Sequence, residues 1–155
     1  MDGYCLRYMQ ITDIPSVMAL ERQSFSTPWS VRSYRFEISQ SNYSHMVVLE
    51  HTLAPPAPAN PMVAWWQAIT GHTRPAHTLL AYGGFWNFGG RAHISTIASN
   101  PHFRRQGYGE LVLLAMIRRA VQLAASVVTL EIRVSNTGAQ QLYRKHGFRQ
   151  RGIKA

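Results

Sequence analysis

The chain has 155 residues, a formal net charge of +9 and one cysteine. That length supports one hydrophobic core and is too short for two ordinary domains. The lone Cys5 makes no internal disulfide and suits a reducing compartment. With no run of about 18 apolar residues and no basic start followed by an apolar stretch, the sequence reads without a membrane span or signal peptide and points to the cytoplasm. The basic excess attracts anions, whether nucleic acid, an acidic protein or a polyanionic cofactor, or else forms a solvated surface.

In chain order, "CLRYMQIT" is β-branched and aromatic and predicts a strand. Thr12-Asp13 then stands as an N-cap before Ile14, Val17, Met18 and Leu20 at helical spacing. "STPWS" is a turn, and Ser30 caps a short second helix reaching about Ser39. "SHMVVLE" predicts the next strand. Over about 51–76 the pattern breaks at "APPAPANP", whose prolines remove amide donors, so an inserted loop within a single domain is expected there. Within it, Trp65-Trp66 is expected to bury against the sheet, with stacking on a partner as the other use. "HTLLAYGGFWNF" and "AHISTIAS" flank Asn87, Gly89 and Gly90 and predict an antiparallel hairpin.

"NPHFRRQGYGELVLLAMIRRA" follows. Its helix should start near Gly107 or Tyr108, run to about Ala124 and be buried on most sides. "VVTLEIRV" alternates, with Val128, Leu130, Ile132 and Val134 on one face and Thr129, Glu131 and Arg133 on the other. Asn136 caps a last helix that stops at Gly147. The order β-α-α-β-β-β-α-β-α predicts a mixed α/β sheet.

Glycines between a strand and a helix let amides approach an anion, and a helix N-terminus favours one. "RRQGYG" is not a P-loop, because Glu110 and Leu111 follow Gly109 where Lys and Ser or Thr are needed; a dinucleotide fingerprint lacks its third glycine. A steric turn with no ligand remains the alternative. Seven histidines include no His-x-x-x-His pair, so no metal is expected. Nothing near Cys5 orients a base for it.

"ISTIASNPHFRRQGYGELVL" followed by "TLEIRVSNTGAQQLYRKHGF" closely resembles the GNAT acetyltransferase superfamily, and within it the ribosomal-protein-alanine N-acetyltransferases. "ITDIPSVMALERQSFSTPWS" resembles that subgroup's first helix and substrate-side loop, while the Pro-rich insertion departs from its usual short connection. The resemblance implies a GNAT fold, an α/β (α+β) domain with a mixed, mostly antiparallel sheet flanked by helices. It also implies acetyl-coenzyme A as cosubstrate and a protein N-terminal α-amine, such as a ribosomal protein's, as acceptor.

On the family's Arg/Gln-x-x-Gly-x-Gly/Ala motif, Arg104, Gly107 and Gly109 would hold the pyrophosphate, helped by Arg105, Gln106, Tyr108 and Glu110 through their amides or charge. Ile97 and Ala98 would pair with the pantetheine arm, and Asn136 and Tyr143 would also meet the cofactor. Glu131 matches the catalytic glutamate and Tyr143 the tyrosine that gives a proton to the departing thiolate. From residue type alone, Glu131 better suits an ion pair with Arg133 or another cation, Tyr143 better suits packing, and Asn136 suits a plain cap. Another amine (lysine, polyamine or small molecule) or a non-catalytic coenzyme A or nucleic-acid binding module stays open. The family's closing strand is missing after "QRGIKA", so the Phe148–Ile153 edge is expected to recruit a second copy or leave the tail unpaired.

Overall fold

The computed structural model describes residues 3–53, 60–70, 76–132 and 136–152. Its centre is a five-stranded sheet in the order β1-β2-β3-β4-β5, formed by Tyr4–Tyr8, Ser44–Leu53, Ala76–Phe88, Arg91–Ser99 and Val127–Leu130. The first four strands are antiparallel neighbours, and β5 joins β4 in parallel. The β3–β4 hairpin turns through Gly89 and Gly90, as expected from its sequence.

Each face of the sheet buries its own core. Helices α1 (Ile14–Ser24) and α2 (Val31–Ser39) cover one face, where Val17, Met18 and Tyr34 meet Met46, Val48, Tyr82 and Ala98. On the other, α4 (Tyr108–Gln122) and α5 (Thr137–Lys145) set Val112, Leu113, Met116 and Tyr143 against Val47, Leu49, Phe85 and Ile94. Helix α4 lies close to β3 because position 83 is glycine: a Cβ there would come within 2.9 Å of the Met116 side chain.

The caps form largely as read. Ser33 N–H donates to Ser30 Oγ at 3.1 Å, and Ala139 N–H to Asn136 Oδ1 at 3.2 Å. Asp13 precedes α1, but its carboxylate accepts Gln10 N–H at 2.7 Å and pairs with Arg7. It thereby ties a short 3₁₀ turn to β1 instead of capping the helix.

Four expectations need correction. β2 extends to Leu53, and the insertion expected as a loop contains helix α3 (Pro61–Thr70). Pro61 stands at its first position, where the missing N–H costs nothing. Trp65 and Trp66 are 66% and 61% exposed, so neither is buried against the sheet. Helix α4 is buried along one face only, since Leu114 and Val121 are exposed. Lastly, β5 stops at Leu130, before Glu131 and Ile132; Arg133 and Val134 lie outside the described residues.

The early end of β5 has a local cause. Register between β3 and β4 passes from Gly84↔Thr96 to Phe85↔Ile94, which leaves Ser95 as a bulge. A bulge turns the residues beyond it to opposite faces. Ala92 and Ile94 lie in the α4-side core, whereas Ala98 lies in the α1-side core and Ile97 packs toward α4. Pairing of β4 with β5 ends at Ile94↔Leu130. From Ser95 onward β4 has no described strand on that side.

Candidate active site

Where β4 and β5 part, a cleft of about 360 Å³ opens. Ser95, Thr96 and Ile97 form its strand side, and Leu130, Glu131, Ile132, Asn136, Ala139 and Tyr143 its opposite side. Glu21, Phe25, Thr27 and Trp29 close it from α1 and the loop after it. Ser95 Oγ is buried without a hydrogen-bond partner, so the cleft wall carries an unanswered polar group.

Tyr143 is only 6% exposed and meets the Phe148 ring edge-on at 5.7 Å between centroids. Burial pushes its phenol above the ordinary tyrosine value, so it holds its proton through neutral pH. Glu131 is exposed just past the end of β5. The last turns of α5 also hold Lys145 and His146, which bond Glu110 Oε1 of α4 at 2.9 and 2.7 Å. Hydrogen bonds from Lys145 and then His146 lower the Glu110 carboxyl below its usual range.

At the far end of β4 the chain passes through a short 3₁₀ turn, Pro101–Phe103, and then through Arg104–Gly107 into α4. Arg105 and Gly107 have φ of +64° and +82°, left-handed values that glycine takes without strain. The helix ladder opens with Leu111 N–H to Gly107 O at 3.0 Å, so the amides of Tyr108, Gly109 and Glu110 precede any helical bond. A Cβ at Gly107 would meet nothing within 4 Å, and one at Gly109 only Ser99 at 3.6 Å. The protein itself does not fill this cradle. Tyr108 Oη lies 3.2 Å from Tyr4 Oη, which ties the first turn of α4 to β1.

Of the residues singled out from sequence, Glu131, Asn136, Tyr143 and Ile97 converge on the cleft. Ala98 turns its side chain into the other core. Arg104 through Glu110 form the turn and amide-rich helix start. Sequence reading missed Glu21, which is 1% exposed and faces the same cleft. The signal was present: Ile14, Val17, Met18 and Glu21 share one helical face, and three of the four are apolar.

Profile comparison matches residues 14–148 to the acetyltransferase (GNAT) family. The chain belongs to that family and is an acetyltransferase that uses acetyl-coenzyme A as cosubstrate. Over 149 residues it is 31% identical to a Bacillus subtilis (strain 168) protein provisionally named ribosomal protein bS18-alanine N-acetyltransferase, covering 96% of this chain and 83% of the relative. The Escherichia coli (strain K12) ribosomal protein bS18-alanine N-acetyltransferase is 24% identical over 94% of this chain and 81% of its own length. The crystal structure of the E. coli ribosomal-protein-S18-alanine N-acetyltransferase shares the fold, with a TM-score of 0.72 at 21% identity over 96% of this chain and 79% of that one. Among the described residues no helix is long and apolar enough to cross a membrane.

Proposed function

We propose that the chain transfers acetyl to the N-terminal α-amine of a protein, of the ribosomal-protein-alanine type, with Glu131 and Tyr143 as catalytic residues. The observation that carries this reading is one cleft with a carboxylate and a proton-holding phenol on its wall, at the point where β4 and β5 part. The names of the B. subtilis and E. coli relatives support the choice of acceptor.

The protein fits acetyl-coenzyme A in three ways. Free amides at the start of α4 and the cations of Arg104 and Arg105 suit a pyrophosphate, the open edge of β4 at Ile97 and Ala98 suits an extended amide-bearing arm, and Ser95 Oγ awaits a partner. Asn136, whose side chain already caps α5, contributes to the cleft wall from the start of that helix. When bound, the thioester supplies the acyl group and a thiolate leaving group.

The remaining chemistry is the protein's. An α-amine has a reference pKa near 7.7 to 8.0, so roughly a tenth is neutral at pH 7 and a carboxylate suffices to draw off the proton. Glu131 does this at the exposed end of β5. Tyr143 stays protonated because burial raises its phenol above the ordinary tyrosine value, and it donates to the leaving sulfur as negative charge develops there.

The test compares an alanine-initiated peptide, the same peptide blocked at its N-terminus but carrying a lysine, and a polyamine, following thiol release and product mass. Transfer to the free α-amine alone supports the reading. Preference for lysine or polyamine moves the acceptor to another amine class. Coenzyme A binding without thiol release with any of them would return the chain to a binding module.

A further inference from the structure

Helix α1 turns Ile14, Val17, Met18 and Glu21 toward the sheet, and the fourth is a carboxylate. Burying one is costly unless donors surround it, and a hydrophobe of similar size would pack there without that cost. Three donors from three parts of the chain converge on Glu21. Trp29 N–H reaches Oε2 at 2.7 Å, while the hydroxyls of Tyr34 and Tyr82 donate to Oε1 at 2.6 and 2.7 Å. All three are neutral, and among the described residues no lysine, arginine or histidine pairs with this carboxylate.

The most informative donor is the amide. Trp29 lies in the segment between α1 and α2, outside any helix or strand, so its N–H lacks a ladder partner and the carboxylate supplies one. The Trp29 ring rests on Tyr34 at 5.2 Å between centroids. One carboxylate thus joins the loop, α2 and β3 around the wall of the cleft that Phe25, Thr27 and Trp29 form.

We propose that Glu21 is a positioning residue for the acceptor: by accepting Trp29 N–H it fixes the Phe25–Trp29 wall against which the incoming amine and the residues after it are held. This rests on reading the cleft as the acceptor site. Glu21 acts through the loop and leaves the amide cradle at the start of α4 untouched.

Glu21→Met keeps the length of the side chain and leaves no oxygen to accept Trp29 N–H. Its acceptor KM should rise about tenfold or more, with saturated kcat within about threefold of wild type and acetyl-coenzyme A affinity unchanged by calorimetry. Val17→Ala, on the same buried face of α1, is the control for a loosened core; it should lower the melting temperature and leave acceptor KM within about twofold. Tyr82→Phe removes one phenol but retains the Trp29 bond, and should behave like Val17→Ala; so should Glu21→Gln, whose amide can keep Oε1 on Trp29 N–H and turn NH₂ to the hydroxyls of Tyr34 and Tyr82. An unchanged KM in Glu21→Met, or an equal rise in Val17→Ala, would overturn the proposal. Hydrogen exchange at the Trp29 amide reads the anchor without any acceptor: it should speed up in Glu21→Met and not in Val17→Ala, and wild-type protection in Glu21→Met would also overturn the proposal. Faster exchange in a protein that acetylates no α-amine would locate the failure in the proposed acceptor.

Discussion

The two sides of the sheet are held by different means. On the α4 side the helix start is backbone: a left-handed turn at Gly107 and the first amides of the helix. On the α1 side the wall is held by side chains, with Glu21 gathering an amide and two phenols that are distant in sequence. A backbone site tolerates most side chains but needs glycine at fixed places. A side-chain network tolerates most backbones but depends on its shared acceptor, whose loss leaves several donors buried and unpaired at once.

The sharpest way to break this comparison is at the cleft between the two sides. Tyr143→Phe should lower kcat by about 100-fold or more and leave acetyl-coenzyme A affinity near wild type, as measured by pre-steady-state transfer and calorimetry. Next in size, Gly107→Val should weaken acetyl-coenzyme A at least about tenfold. The branched side chain would project into the open space where the proposed pyrophosphate contact lies, and it also costs roughly 1–2 kcal/mol at positive φ, visible as a lower melting temperature. The acceptor KM should not follow, which separates cradle from wall.

Glu131→Gln should reduce turnover by about tenfold near pH 6.5, and the deficit should narrow above about pH 8, where the amine is already neutral. A uniform loss across that range would assign Glu131 a role other than base. The smallest effect belongs to the link between α4 and α5. Lys145 and His146 hold the Glu110 carboxyl below its usual value, so this bond stabilises the fold above the unfolded carboxylate range and is lost as pH falls through the depressed value. Melting curves of wild type and Glu110→Gln should differ slightly at pH 6 and converge as pH falls below the depressed value.

Much of the architecture was legible because local chemistry agrees with it. Ser30 and Asn136 cap helices, Gly89 and Gly90 turn the hairpin, and α4 begins at Tyr108. Where reading failed, a nonlocal cause can be named. Pro61 looked like one more loop proline, although the first helical position accepts it. "VVTLEIRV" alternates as a strand should, yet strand pairing ends at Leu130 because β4 bulges at Ser95, and nothing in the alternation announces a bulge on the neighbour. Glu131, Asn136 and Tyr143, singled out through a motif, line one cleft. Glu21 was not singled out, because a carboxylate on an apolar stripe means little until Trp29, Tyr34 and Tyr82 are brought around it.

The bulge at Ser95 also bears on how such a chain can be recombined. Because β4 changes faces there, residues before it are matched to α4 and residues such as Ala98 to α1. Deleting Ser95 alone would make Phe85↔Ile94 and Gly84↔Thr96 consecutive pairs of a regular ladder, with Thr96 and Ile97 kept on their present faces. A one-residue deletion between Thr96 and Ser99 would instead slip the residues after it into the wrong layer. Crossovers that keep Thr96–Ser99 whole should give folded hybrids, whereas those that change its length should not.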